Sequence, residues 1–197
     1  MMKSKRVGWG IALVVVTILI AGLLGTTSRA GYESARYKVE EKDGSFEIRI
    51  YESHEVVTTT MNGENQNGSF GKLFRYISGA NEKDQKIKMT TPVFMPATED
   101  GKTREMQFVI PQDVSETGAP SPSNGAVKKK TMSGGKMAVI RYSGRSQSDQ
   151  RKKKLKELRV EIESRGLSAT GSPIFAGYDP PWTPALLRRN EVMLRLR

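Results

Sequence analysis

The chain carries one histidine, His54, and no cysteine, and these two counts remove most catalytic chemistry before any fold is considered. Without cysteine there is no disulfide, no thiolate nucleophile, no lipoprotein anchor and no haem attachment through Cys-x-x-Cys-His. A Ser-His-Asp triad would have to use His54. Neither a G-x-S-x-G elbow nor a G-x-x-x-x-G-K-[ST] phosphate loop occurs, and a zinc site lacks ligands. Glu47 and Glu105 fall in alternating apolar–polar runs and read as solvated strand faces. No catalytic constellation is found, so an enzyme is poorly supported. His54 follows Tyr51-Glu52-Ser53 in a bend. It could serve as an axial ligand to a haem iron. The plainer reading is an exposed loop histidine, because no neighbour in sequence would orient its ring.

Binding chemistry is better represented. Phe70, Leu73, Phe74 and Ile77 recur at i, i+3, i+4, i+7, the apolar face of a helix. That face is core by default. Lys72, Arg75 and Tyr76 flank it, however, and an apolar floor rimmed by cations suits a flat amphipathic acid. A second segment, Gly177 to Val192 (GYDPPWTPALLRRNEV), combines three prolines, two aromatics and an Arg-Arg-Asn-Glu end. Proline fixes φ and stiffens such a loop at little ordering cost. Tyr178, the prolines and Trp182 are expected to form a rigid wall over the open side of the fold. Arg188, Arg189 and Glu191 either pin the loop by charged hydrogen bonds or supply an arginine to a ligand carboxylate.

The elements that must position these residues follow from periodicity. Phe46, Ile48 and Ile50 alternate with polar residues behind an Asp43-Gly44 turn, which predicts a hairpin. Val56 to Met61 is a second strand. Ser69 reads as an N-cap, more economically than as a glycosylation site, and Gly79 as the stop of the Phe70–Ile77 helix. Met106, Phe108 and Ile110 form the last strand of a first half. Residues 111–126 are a Pro/Ser/Gly-rich connector. The second half repeats the order: a hairpin turning at Ser133-Gly134-Gly135, a helix over about 148–165, Ser172-Pro-Ile-Phe175 answering Thr91-Pro-Val-Phe94, and a strand with Val192, Leu194 and Leu196. From Phe70 to Pro92 is 22 residues; from Gln150 to Pro173 is 23. The pattern predicts an internal duplication, with pseudo-repeats at 37–111 and 127–197. The fold class is α+β: a curved antiparallel sheet with two helices, built from a duplicated strand–helix–strand unit.

Ahead of this domain, Lys3, Lys5 and Arg6 precede the uncharged run Val7–Gly25. The run is near the roughly 20 residues of a bilayer helix. It reads as an N-terminal membrane anchor, or as a signal segment cleaved near Ser28-Arg29-Ala30; residues 26–36 are then a tether. Either reading puts residues 37–197 on the extracytoplasmic side, in the periplasm or at the cell surface, or secreted if cleaved. The net charge is +11, and residues 31–197 carry 28 basic against 21 acidic side chains, or +7. Such a domain favours anionic partners. Export argues against nucleic acid and leaves the membrane surface or a carboxylate-bearing ligand.

Three stretches together carry a resemblance. Phe74–Asn81 (FRYISGAN), Lys86–Val93 (KIKMTTPV) and Gly177–Trp182 (GYDPPW) with Arg188–Glu191 (RRNE) resemble the SOUL haem-binding protein family over roughly Tyr37 to Arg197. The resemblance implies a distorted antiparallel β-barrel with two helices made of duplicated halves, similar to effector-binding domains of some bacterial regulators. It implies non-covalent binding of haem or a related tetrapyrrole by a carrier, buffer or sensor. The ring would meet Phe70, Leu73, Phe74 and Ile77 on the first helix. Lys72 and Arg75 would meet its carboxylates, and Trp182 and Arg188 would contribute from the C-terminal loop. His54 lies one strand earlier and is not expected to ligate the iron. The alternative is a ligand-sensing or protein-interaction module of the same fold that does not use haem.

Overall fold

A computed structural model describes residues 31–61 and 66–197. The apolar run Val7–Gly25, and with it the expected N-terminal helix, lies outside the described residues. Among the described residues no helix is long and apolar enough to cross a membrane.

Eleven strands and three α-helices are present among the described residues: β1 Glu33–Ser34, β2 Tyr37–Asp43, β3 Phe46–Tyr51, β4 His54–Thr60, α1 Gln66–Ile77, β5 Thr90–Thr91, β6 Val93–Pro96, β7 Glu105–Val109, α2 Gln112–Glu116, β8 Lys128–Met132, β9 Gly135–Tyr142, α3 Ser148–Ser164, β10 Ala169–Gly177 and β11 Asn190–Leu196. Nine strands form one antiparallel sheet in the order β2-β3-β9-β11-β10-β6-β7-β4-β8; β1 and β5 pair in parallel beside it. The β2–β3 hairpin turns where expected, with Gly44 at φ 56°.

Several expectations are corrected. The sheet does not close into a barrel, because β2 and β8 remain as edges. Three helices occur rather than two: the connector holds α2 and packs Ala119 and Pro120 against the body, so it is not a loose linker. Ser69 lies inside α1, where its hydroxyl donates to the Thr60 carbonyl at 3.2 Å, and is not an N-cap. The expected Ser133–Gly135 hairpin is absent. β8 pairs with β4 while β9 pairs with β3 and β11.

That last difference shapes the molecule. Both the β3–β4 and the β8–β9 links are two residues long, yet each joins strands far apart in the sheet order. The sheet must curl until its two flanks meet, and the two links then cross. Gly134 sits at the crossing. A Cβ there would lie 2.5 Å from the Tyr51 carbonyl oxygen and 2.8 Å from Ser53 N, so only glycine fits. If β3 is matched with β8, β4 with β9, β6 with β10 and β7 with β11, the eight strands after β2 read the same from either end, about the β10–β6 contact.

Period-2 alternation gives the sheet two apolar faces. One carries Phe46, Ile48, Val57, Phe108, Phe175, Val192 and Leu194, covered by Leu73, Tyr76 and Ile77 of α1 and Leu155, Leu158 and Ile162 of α3. The other carries Tyr51, Val56, Phe94, Val109, Val139, Tyr178 and Met193. Burying each large side chain contributes roughly 1.5–3 kcal/mol.

Candidate functional site: the outer face of α1

Helix α1 packs on β4 and β7 and splits its apolar residues between two directions. Leu73, Tyr76 and Ile77 turn into the core. The Tyr76 hydroxyl donates to the Pro120 carbonyl at 2.8 Å and ties the connector to the helix; burial pushes its pKa up to about 12. Phe70 and Phe74 stay at the surface, 37% and 49% exposed. Their rings stack at 5.9 Å and 16°, and Phe70 meets Phe108 of β7 edge-on at 5.1 Å. Gly71 beside them has open space at its Cβ position. The result is a flat, preformed aromatic surface.

The structure therefore divides the expected ring contacts. Phe70 and Phe74 are available; Leu73 and Ile77 belong to the core and are not exposed to a ligand on this surface. The cations divide as well. At 100° per residue Lys72 falls about 160° around the helix from Phe74, on the opposite flank. Arg75 is exposed and about 100° from Phe74.

The C-terminal loop behaves as a lock; of its two aromatic rings Tyr178 packs into the body of the fold and Trp182 does not. Arg188 donates from Nε to the Thr183 carbonyl at 2.8 Å and from Nη2 to the Pro181 carbonyl, and the Arg189 amide donates to Asp179 Oδ2 at 2.6 Å. Trp182 is 77% exposed. Neither Trp182 nor Arg188 is in ring contact or hydrogen-bond contact with α1.

An ionic cluster that the sequence reading missed lies on the sheet face opposite the helices. Glu191, with no exposed surface, accepts from Arg49 Nη1 and Nη2 at 2.8 and 2.9 Å, Tyr178 Oη at 2.9 Å, and Arg189 Nε and Nη2 at 2.9 and 2.6 Å. Arg49 also donates to Glu47 at 2.7 Å and to Tyr51 Oη at 3.0 Å, and stacks over Tyr37. Glu47 is thus buried and paired, not solvated. Burial pushes the Glu191 carboxyl up, but the hydrogen bonds and charges of Arg49 and Arg189 outweigh it and hold it below the usual glutamate range. Burial pushes Tyr51 up to about 12. Two arginines and two glutamates balance in the interior, and the exposed Lys42 ammonium sits 3.2 Å from Glu47 at the rim.

His54 is not an exposed loop residue. It opens β4, is buried, and has Nε2 3.2 Å from the Arg36 carbonyl; burial lowers its pKa. Along β4 it shares the parity of Val56, on the face away from α1. The adjacent cavity, lined by Ser34, Arg36, Glu55 and Ser115 among others, measures about 100 Å³. Ligand sites for organic molecules run to roughly 300–1,000 Å³, so no tetrapyrrole fits there. Among the described residues no cluster of three or more His, Asp or Glu could hold a metal ion.

The architecture is a curled antiparallel sheet carrying two long helices on one face. A family profile described as SOUL heme-binding protein matches residues 32–195, and the chain belongs to that family. Heme-binding protein 1 of Sus scrofa is 27% identical over 168 residues, covering 80% of this chain and 87% of that protein. Heme-binding protein 2 of Mus musculus is 29% identical over 168 residues, covering 79% and 80%. Among solved structures, the EcmrR C-terminal domain superposes with a TM-score of 0.54 at 14% identity, covering 82% of this chain and 98% of that one. A hydrolase from Listeria innocua gives 0.55 at 11%, covering 80% and 94%. At these identities the two structures share the fold alone.

Proposed function

We propose that the protein binds haem or a related tetrapyrrole non-covalently on the outer face of α1, as a carrier or buffer. The observation that carries this is the exposed, stacked Phe70–Phe74 pair in a member of a haem-binding family. A flat aromatic surface matches a flat ring, and the two phenyl groups are held in place before binding by Phe108. Arg75 is the cation of α1 placed to meet a carboxylate from this side; Lys72 is not. No described side chain on this surface is a histidine, so attachment rests on apolar contact and carboxylate pairing. Burying on the order of 200 Å² of ring at ~25 cal/mol per Å² gives about 5 kcal/mol before association costs. Such binding is modest and readily reversed, which suits handing a ligand on. Bound haem would bring its own iron chemistry; the chain's residues supply the seat.

The same reading puts the domain on the extracytoplasmic side of a membrane, joined by residues 26–30 to an anchor at Val7–Gly25; residues 33–35 of the expected tether belong to the folded domain. The support is the uncharged run behind Lys3, Lys5 and Arg6. Haemin titration followed at the Soret band tests the ligand site. Saturable binding is expected, weakened at least tenfold by Phe74→Ala with Arg75→Glu, and changed no more than a few-fold by His54→Ala. No saturable change, or one indifferent to the α1 substitutions, refutes it.

A further inference from the structure

Between β10 and β11, the loop 178–189 exposes more apolar surface than its hydrogen-bonded backbone would suggest. Trp182 is 77% and Leu186 87% exposed, with Leu187 beside them. The loop is not slack. Pro180, Pro181 and Pro184 fix its φ angles. The Thr183 amide donates to the Pro180 carbonyl at 3.1 Å and the Leu187 amide to the Pro184 carbonyl at 2.9 Å. Arg188 reaches back to the Pro181 and Thr183 carbonyls. The Thr183, Leu187 and Arg188 amides are therefore already paired within the loop. That pairing lowers the penalty for moving this peptide segment into an apolar medium.

Position in the fold selects the medium. β1 pairs with β5, and the Ala35 amide donates to the Thr91 carbonyl at 2.8 Å. Two residues later Val93 opens β6 opposite Gly177, the last residue before the loop. The first residues of the domain, Ala35 to Tyr37, thus lie near the base of the loop, where Arg189 Nη2 also donates to Tyr37 Oη at 3.4 Å. Upstream of Gly31 the sequence has only residues 26–30 between the domain and the apolar run ending at Gly25. Five residues span at most about 18 Å when fully extended. A domain held that close to a bilayer at this end brings the loop to the lipid surface. The neighbouring loop bears exposed Arg145 and is bonded to this one through Gly144 N to the Ala185 carbonyl, which adds positive charge facing anionic headgroups.

We infer that the Trp182–Leu186–Leu187 tip is a membrane-docking element that seats in the interfacial layer of the bilayer and fixes how the domain stands on it. Tryptophan favours that layer, with its ring among acyl carbons and its N–H toward water. The inference rests on the anchored reading proposed above.

The two tryptophans, Trp9 and Trp182, allow one experiment to separate the two ideas. The full chain is reconstituted in phosphatidylcholine vesicles containing phosphatidylglycerol, with lipids brominated at defined depths. In a Trp9→Phe background Trp182 is the sole tryptophan and is excited selectively over the six tyrosines. Its emission should shift to the blue relative to detergent-free protein and be quenched most by the shallowest bromines. Adding Leu186→Lys should abolish the quenching. In a Trp182→Phe background Trp9 reports the anchor. Quenched Trp9 with unquenched, water-like Trp182 overturns the docking element and leaves the anchor intact. Unquenched signals from both overturn both readings. Quenched Trp182 with unquenched Trp9 retains the docking element and overturns the anchor.

Discussion

Replacing Glu191 with glutamine tests the ionic cluster at its centre. The carboxylate accepts five hydrogen bonds and balances Arg49 and Arg189. Glutamine keeps the shape but offers one acceptor oxygen. If that oxygen takes the Oε1 position, with its three arginine donors, the amide nitrogen must face Arg49 Nη1, a donor against a donor. The cluster also goes from neutral to +1 inside the protein. Breaking a buried ion pair from one side costs about 3–5 kcal/mol. Against a total stability of order 5–15 kcal/mol for a domain, that is a large share. Urea unfolding followed by far-UV circular dichroism should show a midpoint shifted well down. Arg49→Met combined with Glu191→Gln restores neutrality, because Glu47 and Arg189 remain. The double variant should therefore lose less than the sum of the singles, with a coupling of about 0.5–3 kcal/mol. A Glu191→Gln loss under about 1 kcal/mol, or strictly additive singles, would refute the assignment. The pH sign follows too. A carboxyl held below its ordinary value stabilises fully above about 4.5, its unfolded value, and loses that contribution as pH falls through the lower folded value.

Other outcomes are equally specific. His54 has a pKa lowered by burial from 6.5, so the unfolded chain takes up its proton first; thermal stability should fall as pH drops below about 6.5, and His54→Gln should flatten that slope. Leu73→Ala should cost about 2–5 kcal/mol as a core truncation. Phe74→Ala, at the next residue and half exposed, should cost much less in a denaturant melt while weakening haemin binding; equal stability losses would contradict the division of α1. Gly134→Ala should destabilise by at least about 1–3 kcal/mol through backbone overpacking, read by the same melt.

Much of the strand and helix content was legible because local pattern and tertiary outcome agree. Phe46-Ile48-Ile50, the Asp43-Gly44 turn, the Leu155-Leu158-Ile162 stripe and the Gly79 stop all stand where alternation and helical period put them. Errors arose where partners were chosen at a distance. Ser133-Gly134-Gly135 has the composition of a hairpin, yet the glycine answers a close approach to the Tyr51–Ser53 backbone, which only the curled sheet creates. The connector reads as loose by composition, but Tyr76 and Lys129 reach its carbonyls and hold it.

The α1 stripe was legible in its residues, and its partition between core and surface was not. An i, i+3, i+4, i+7 stripe says that one face of α1 is apolar; it does not say how wide the sheet's cover is. Here β4 and β7 absorb Leu73, Tyr76 and Ile77 and leave Phe70 and Phe74 at the margin, where they stack on each other. A stripe broader than its core leaves aromatic surface on a structural helix, and the proposed site rests on that surface. The same reasoning explains why the Glu47 reading failed. Alternation placed Glu47, Arg49 and Tyr51 on one face correctly, and polarity made that face look solvated. Glu191 and Arg189, 142 and 140 positions away from Arg49 in sequence, cover it instead. A row of charged residues on a strand is thus consistent with water or with an opposing row of opposite sign, and the Arg188-Arg189-Asn190-Glu191 end of the chain was the available signal for the second. Two charged rows of matching sign pattern, both at strands of one sheet, predict a buried cluster more specifically than either row predicts solvent.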